Sequence, residues 1–441
     1  MAEIHPFRGV CYNQRLVNDL SRVICAPDDI ITPKLQRELY RRSEYNFVRL
    51  NAPLGSSGGR REDAKWQRAA ATLNDWLEKG ILQIDDVPAI YLHDHYFAYL
   101  GRKYTRRGII VIVRLEEWDR MVVRRHEKIL PGLKKSRFSQ VRTLKACTSP
   151  LLALFEDQEG QFSSLLSTAE RGRPIINLSN NTDGRHKVWA ITSTKLISQI
   201  RAILSEKPLY MADGHHRYEA ALAYRAERVA TYPAISRDDP CNFVMMTLSP
   251  IPDPGLIVLP FHRLIRGMTE SVLGRLLAGL KAFFEVEEWS LDMPNVWQEV
   301  DSLLVHTGSD KPDEVVMVLF GLVSDKLVVL RVRDFAAVAR AMPAYQSESY
   351  KRLDVSIAEQ IIIEKLLQIT SDKKEKLLAF KNDRVDAVRE VLNGQYQLAL
   401  LLRAARIEQI LEISAAGETM PAKSNRFYPK PPTGFVFYRL V

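Results

Sequence analysis

The 441-residue sequence lacks the cysteine pattern of a disulfide-rich or zinc-binding protein, because its four cysteines are widely spaced and form no C-x-x-C pair. It has no apolar run that approaches the roughly 20 residues needed to cross a bilayer. Its first residues also lack the basic segment and hydrophobic core of a signal peptide. These absences predict a cytoplasmic protein with reduced thiols and no membrane association.

Several motifs of phosphate and ester chemistry are missing as well. The sequence contains neither a G-x-x-x-x-G-K-[ST] phosphate loop nor the motif set of protein kinases. It also lacks the G-x-S-x-G elbow of α/β-hydrolases. If this protein handles phosphate, it does so on a different scaffold.

The charge balance is basic, with a formal net charge of +9. Part of the excess is clustered at residues 102–107 and 120–135, but neither run has the form of a nucleic-acid reading head. Nucleotides and other anionic metabolites also need positive charge at their binding sites. We therefore expect a small anionic or nucleotide ligand rather than a nucleic acid, and the sequence is compatible with a homodimer.

Helical and strand patterns alternate almost to the end of the chain, which predicts a mixed α/β (α+β) architecture. The length exceeds that of a single core, and a proline-rich connector at 250–255 predicts an N-terminal and central α/β region at 1–260 and a C-terminal α+β region at 261–441. Among the local patterns, 88–100 and 104–114 predict a β-hairpin. Residues 269–284 and 354–367 predict helices.

The most informative segment is 208–222 (PLYMADGHHRYEAAL), which predicts a buried strand, a glycine turn and a helix. The first turn of a helix attracts anions through its N–H groups and its dipole. Arginine can bind phosphate through two parallel hydrogen bonds, and histidine can accept or donate a proton near neutral pH. The candidate residues are Asp213, Gly214, His215, His216 and Arg217. The alternative is structural, with Asp213 as an N-cap and a solvated first turn.

A second polar cluster covers residues 126–137 (HEKILPGLKKSR). Glu127 is a candidate general base, and Lys128, Lys134 and Arg137 are candidate phosphate ligands. The alternative is a surface loop before a basic helix.

The third cluster is the proline-rich segment 417–434, which carries Lys423 and Lys430 among aromatic residues. Such a segment suits a lid over a nucleotide, or a tether that leads the chain to its final strand.

Taken in order, several segments resemble the bacterial family called domain of unknown function 1015 over essentially the full length. The segments that carry the resemblance are 4–9 (IHPFRG), 26–31 (APDDII), 46–50 (NFVRL), 126–128 (HEK), 213–218 (DGHHRY), 350–355 and 420–434. The family usually has Pro-Pro-Tyr-Asp where this chain has Ala26-Pro27-Asp28-Asp29, so Asp29 keeps the acidic position.

The signature at 213–217 is also similar to that of the ParB/sulfiredoxin superfamily, which includes chromosome-partitioning CTPases and kinases of free serine. This resemblance implies a nucleotide-binding core of that type with an additional α+β lobe. By position, it implies that Gly214, His215, His216 and Arg217 contact nucleotide phosphates. It implies that Asp213 helps to place a metal ion or polarises a substrate hydroxyl.

Together these features predict a nucleotide-dependent phosphotransferase that uses Mg²⁺ and ATP or ADP on a small hydroxylated metabolite, with free serine as the acceptor of choice. Glu127 or Asp213 would take the hydroxyl proton. One alternative is a nucleotide-binding switch of the ParB type without metabolite turnover, and another is a phosphate-ester hydrolase that uses the two histidines. The donor, the acceptor and the convergence of the three clusters are questions for the tertiary structure.

Overall fold

The computed structural model describes residues 1–55, 60–127, 131–167, 172–180, 184–305 and 314–441. It confirms the mixed α/β class. The chain divides into two compact units. The first unit comprises most of residues 1–257 together with Pro429–Val441, and the second comprises Val258–Tyr428 with His126 and Glu127.

The first unit is built on a mixed sheet in which the described residues form nine strands. In spatial order, eight of them are Val123–Arg124, Leu209–Asp213, Leu151–Glu156, Phe243–Ile251, Arg102–Arg114, Ile90–Tyr99, Gly184–Ile191 and Ile176–Asn180, and Ile4–His5 pairs with Arg102–Arg114. Two small sheets pair Val10–Tyr12 with Leu82–Ile84 and Ala146–Cys147 with Tyr438–Arg439.

The helices of the first unit cover both faces of this sheet. They are Pro33–Arg42, Val48–Asn51, Arg60–Glu78, Pro131–Leu144, Gln161–Ser167, Thr194–Ser205 and His215–Thr231, with 3₁₀ turns at Leu20–Arg22, Asp28–Ile30, Trp118–Arg120 and Pro240–Asn242. Because successive side chains of a strand alternate between faces, Tyr91 belongs to the core that includes the N-terminal helices, while Leu92 belongs with Ile200 to the core on the opposite face.

The predicted hairpin is confirmed. Ile90–Tyr99 and Arg102–Arg114 pair antiparallel, with Tyr99 opposite Arg102. The turn places Leu100 and Gly101 at φ of 47° and 76°. Left-handed residues are typical of such tight turns, whose twist matches that of the flanking strands.

The second unit contains a six-stranded antiparallel sheet. In spatial order its strands are Phe284–Ser290, Lys326–Val332, Val316–Phe320, Leu398–Leu401, His262–Ile265 and Leu378–Lys381, and a separate pair joins Ile257–Pro260 to Asn425–Tyr428. Its helices are Glu270–Leu280, Val296–Leu304, Phe335–Ala341, Glu348–Lys351, Asp354–Ile357, Ala358–Leu366, Lys374–Leu377, Arg384–Leu392 and Ile407–Ala415.

Two predicted helices of this unit need correction. The helix expected over 269–284 covers only Glu270–Leu280, because Phe284–Ser290 alternates apolar and charged residues and pairs with Lys326–Val332 as a strand. The helix expected over 354–367 is α-helical only in its first turn. From Ala358 to Leu366 it is a π-helix, and Ile361 lies in the core there.

Among the described residues no helix is both long enough and apolar enough to cross a membrane.

Candidate functional site

The strand, turn and helix predicted for the signature segment are confirmed. The strand Leu209–Asp213 ends at Gly214, which has a φ of 99° and begins the helix His215–Thr231. A Cβ atom at this position would lie 2.9 Å from Leu151 Cγ, so the turn needs glycine both for its backbone angle and for its space. The N-cap is Gly214 and not Asp213, so the N-cap interpretation of Asp213 is wrong.

The carboxylate of Asp213 instead holds two cations. Its Oδ1 lies 2.5 Å from Lys430 Nζ, and its Oδ2 lies 2.7 Å from Arg217 Nη2. The same Lys430 ammonium lies 2.5 Å from Asp29 Oδ2. Three segments that are distant in sequence therefore share one ion-pair network at the Gly214 turn.

The network keeps Asp213 and Lys430 charged although both side chains are largely buried. Burial alone would raise the pKa of Asp213, but Lys430 and Arg217 hold it well below its usual range. Burial alone would lower the pKa of Lys430, but Asp213 and Asp29 raise it. At neutral pH the site therefore carries an ionised carboxylate next to two cations.

Arg217 is directed into the protein rather than into solvent. Its Nη1 donates to the backbone carbonyls of Ser149 and Pro150 at 3.2 and 2.9 Å. A cavity of about 40 Å³ lies beside it, with Arg137 and Leu151 also in its lining. Small-molecule pockets measure roughly 300–1,000 Å³, so this cavity is a packing space behind the turn and not a nucleotide pocket.

Arg137 adds a further cation to this region. It forms an ion pair with Asp28. Burial, and after it the charge of Arg217, lowers the pKa of Arg137 to about 10, so it remains a cation at neutral pH. The resemblance treated Asp28 only as a departure from the family's aromatic residue, whereas the structure makes it the partner of Arg137.

The two histidines of the signature occupy the first turn of the helix. His215 is buried and is close enough to Asp213 to help to lower its pKa. His216 is half-buried. The first unit thus brings together Asp213, Gly214, His215, His216, Arg217, Arg137 and Lys430 from the predicted set.

Glu127 and Lys423 belong to the second unit, where they lie side by side. The backbone N–H of Lys423 donates to Glu127 Oε1 at 3.1 Å, and the backbone N–H of Met420 donates to the His126 carbonyl at 2.8 Å. The buried Arg263 donates to the Lys423 carbonyl at 2.9 Å. These three hydrogen bonds hold the proline-rich segment in place at Met420 and Lys423, which supports a tether rather than a lid.

Two predicted phosphate ligands cannot be placed. Lys128 lies outside the described residues. Lys134 belongs to the helix Pro131–Leu144, but its side chain is not among those that the structure describes.

Asp28 and Asp29 are not among the residues that the sequence predicted for the site. Their signal was present as an acidic pair that forms a 3₁₀ turn directly after Pro27. Nothing local to that turn indicated its partners, because these lie more than 100 positions further along the chain.

A larger cavity, of about 470 Å³, lies elsewhere in the first unit. It has the size of a small-molecule pocket, but the charged residues in its lining are Asp85 and Asp86. Burial raises the pKa of Asp85 above its usual value. Two carboxylates do not fit an anionic phosphate, so this cavity is not the nucleotide candidate.

Comparison with known proteins gives a family and remote structural similarities. No curated protein matches the chain. Similar solved structures include a conserved hypothetical protein from Pyrococcus furiosus (14% identity, 75% of this chain and 95% of that chain, TM-score 0.36) and a free serine kinase in complex with AMP (13%, 75%, 92%, TM-score 0.36). A third is SbnI with a C-terminal truncation from Staphylococcus aureus (10%, 73%, 84%, TM-score 0.32). Similarity at this level does not transfer an activity to this chain.

The family match is of a different kind, because it is made by sequence and covers most of the chain. The model described as "Protein of unknown function (DUF1015)" matches residues 4–356. The match includes the Asp28–Asp29 pair and residues 213–217 around Gly214, which we call the signature turn. This chain therefore belongs to the DUF1015 family of proteins of unknown function.

Proposed function

We propose that this chain is a nucleotide-dependent phosphotransferase that acts on a hydroxyl group of a small metabolite. The observation that carries the proposal is the convergence of Arg217 and Lys430 with the carboxylates of Asp213 and Asp29 at the Gly214 turn. Phosphoryl transfer depends mainly on positioning and on neutralising charge. A helix start with adjacent cations supplies both for a nucleotide phosphate.

In this proposal Gly214, His215, His216 and Arg217 contact the phosphates, with Lys430 and Arg137 as further cations. Arg137 belongs to this group because it stays charged although it is largely buried. A nucleotide that approaches the turn would compete with Asp213 for Lys430 and Arg217. The proposed relation to the ParB/sulfiredoxin superfamily rests on the signature motif alone.

The carboxylates also fit a divalent cation. Asp29 Oδ2 and Asp213 Oδ1 already converge on one ammonium. Mg²⁺ prefers oxygen ligands and is usually held by one or two carboxylates together with phosphate oxygens. When bound, Mg²⁺ would neutralise charge on the phosphates. Asp213 suits this role better than that of general base, because its pKa is held far below neutrality.

The direct test is product formation by the purified full-length protein. It is incubated with ATP or ADP, Mg²⁺ and a pool of hydroxylated metabolites that includes free serine, and mass spectrometry detects new phosphorylated species. We expect a product that requires both the nucleotide and one hydroxylated acceptor. The variant R217A should lose it, and R340A, on an exposed helix of the second unit, is the matched control.

Other outcomes would replace the proposal. Nucleotide-dependent self-association without any product would favour a ParB-like switch. Phosphate release from a phosphorylated metabolite in the absence of nucleotide would favour a hydrolase.

A further inference from the structure

A second group of polar side chains lies within the sheet of the first unit. His93 and His95 are two residues apart on one strand and therefore share a face. His186 of the neighbouring strand joins them. Its Nδ1 lies 3.1 Å from His93 Nε2, and its ring centroid lies 4.0 Å from that of His95.

Two further strands extend this group on the same face. Arg106 is the register partner of His95. Thr247 is the partner of Ile110, which lies four residues after Arg106, and Ser249 follows Thr247 by two residues. We call His93, His95, His186, Arg106, Thr247 and Ser249 the interior polar cluster.

Several atoms of the interior polar cluster have no hydrogen-bond partner among the described residues. They are Arg106 Nη1, His186 Nε2, Thr247 Oγ1 and Ser249 Oγ. Arg106 is only 3% exposed and Ser249 is fully buried. Buried polar groups in folded proteins nearly always have a partner, because an unmade bond leaves their desolvation uncompensated.

The unpartnered atoms share a chemical character. Arginine only donates, and serine and threonine hydroxyls donate readily. His186 Nε2 carries a proton when its Nδ1 accepts from His93. A group of donors around one buried cation suits a ligand that only accepts hydrogen bonds, which is an anion.

The carboxylate of Asp253 interacts with Arg106, but its oxygens accept hydrogen bonds from other groups. Asp253 acts on Arg106 electrostatically. Its own oxygens accept from the backbone N–H groups of Gly255 at 2.6 Å and Arg107 at 3.2 Å. Asp253 therefore balances charge in this region without satisfying Arg106 Nη1.

The sheet register relates the cluster to the signature turn. Across a register shift that follows Met211, Asp213 is the partner of Leu152, and Leu152 is the partner of Thr247. Since neighbouring strands lie about 4.8 Å apart, the backbones of Asp213 and Thr247 lie about 10 Å apart in one cross-strand row. A small molecule is long enough to span such a distance.

We propose that the interior polar cluster binds the carboxylate of the acceptor through Arg106, Thr247 and Ser249, so that the acceptor is a hydroxylated carboxylic acid whose hydroxyl is directed to the signature turn. This inference rests on the proposed function for the meaning of "acceptor", but the anion site itself is independent of it.

Calorimetry on the full-length protein, with and without ADP, tests the site directly. The probes are L-serine and D-glycerate, with ethanolamine and glycerol as the analogues without a carboxylate, and inorganic phosphate. Wild-type protein should bind the two acids and should not bind the analogues. The double variant T247V/S249A, which removes both hydroxyls, should weaken binding of the acids about tenfold or more, since hydrogen bonds to a charged group are lost.

Two controls separate binding from packing. T247S retains the hydroxyl and should keep the affinity. S414A removes a comparable buried hydroxyl in the second unit, which also has no partner among the described residues. It should leave binding of the acids unchanged.

The outcomes distinguish this inference from the proposed function. Binding of the acids that falls in T247V/S249A supports the anion site even if no acceptor is phosphorylated, and in that case only the proposed function fails. Equal phosphorylation of serine and ethanolamine overturns the anion site and leaves the proposed function standing. Binding of phosphate but not of the acids, or binding of the acids that T247V/S249A leaves unchanged, also overturns it.

Discussion

The two polar regions of the first unit differ in how their charges are balanced. At the signature turn the charged side chains are paired with each other, since Asp213 forms ion pairs with both Lys430 and Arg217. In the interior polar cluster, burial, and after it the neighbouring charged groups, lowers the pKa of both His93 and His186, so these rings are neutral at pH 7. Electrostatic attraction stabilises the first region, whereas donor atoms of the second have no partner in the described part of the chain.

The difference suggests two kinds of site. Paired ions can exchange partners when a charged ligand arrives, whereas unpaired donors are prepared for a ligand that brings an acceptor. The predictions below test this contrast from the largest expected effect to the smallest.

Removal of Lys430 should have the largest effect on stability. In K430M, Asp213 and Asp29 lose a largely buried partner. Breaking a buried pair from one side costs about 3–5 kcal/mol, because it leaves an uncompensated charge. Urea unfolding measures the loss. The double variant K430M/D213N should recover part of it, and a double variant no more stable than K430M would contradict the pairing.

Removal of Arg217 should affect nucleotide binding more than folding. Loss of a charge-assisted contact to phosphate in R217A should weaken nucleotide binding by about 2–5 kcal/mol, as measured by calorimetry. R217K keeps the charge but cannot donate two parallel hydrogen bonds from a planar group. Its affinity for nucleotide should therefore lie between those of the wild type and R217A. Unchanged affinity in folded R217A would remove the signature turn from the nucleotide site.

As the pH is lowered, the two regions should lose their contributions to stability in different pH ranges. Histidines whose folded pKa is lowered contribute stability that is present above the unfolded pKa, near 6.5, and is lost as the pH falls below it. Between pH 6.5 and 5 the loss is about 2 kcal/mol for each such histidine, at 1.36 kcal/mol per pH unit. Urea unfolding at pH 7 and pH 5 measures how much stability is lost between the two. In H186F this loss should be smaller than in the wild type by about 2 kcal/mol.

The carboxylate at the signature turn acts in a lower pH window. The folded pKa of Asp213 is depressed, so its contribution is present above the unfolded pKa of about 3.9 and is lost as the pH falls further. D213N should therefore leave the slope of stability between pH 7 and 5 unchanged. If D213N rather than H186F altered that slope, the contrast between the regions would be wrong.

The smallest effect is expected from the turn itself. G214A combines a backbone angle that disfavours side chains with a contact to Leu151. G160A is the matched control, because its φ is also positive, at 66°, but nothing lies within 4 Å of the added methyl group. Thermal unfolding should show G214A to be less stable than G160A by about 1 kcal/mol. Equal stability would mean that the turn tolerates a side chain.

The fold was predictable where its signals are local. The hairpin 90–114 and the strand, turn and helix around Gly214 follow from alternation, turn residues and helical spacing within short windows. The strand Phe284–Ser290 was missed because Phe284, its first residue, also continues the apolar spacing of the preceding helix, and pairing with Lys326–Val332 shows that it belongs to the strand. The π-helix at Ala358–Leu366 carries no sequence signal that we recognise.

By itself, the sequence determined that Asp213, Gly214 and Arg217 lie at one strand end, because residues this close along the chain are placed by local backbone geometry. Only the tertiary structure decided that Lys430 and Asp29 complete the network, since they lie 401 positions apart in the chain. Only the sheet register brought His186 to His93 and His95. Such contacts depend on which surfaces pack together, and packing is a property of the whole core that no local pattern specifies.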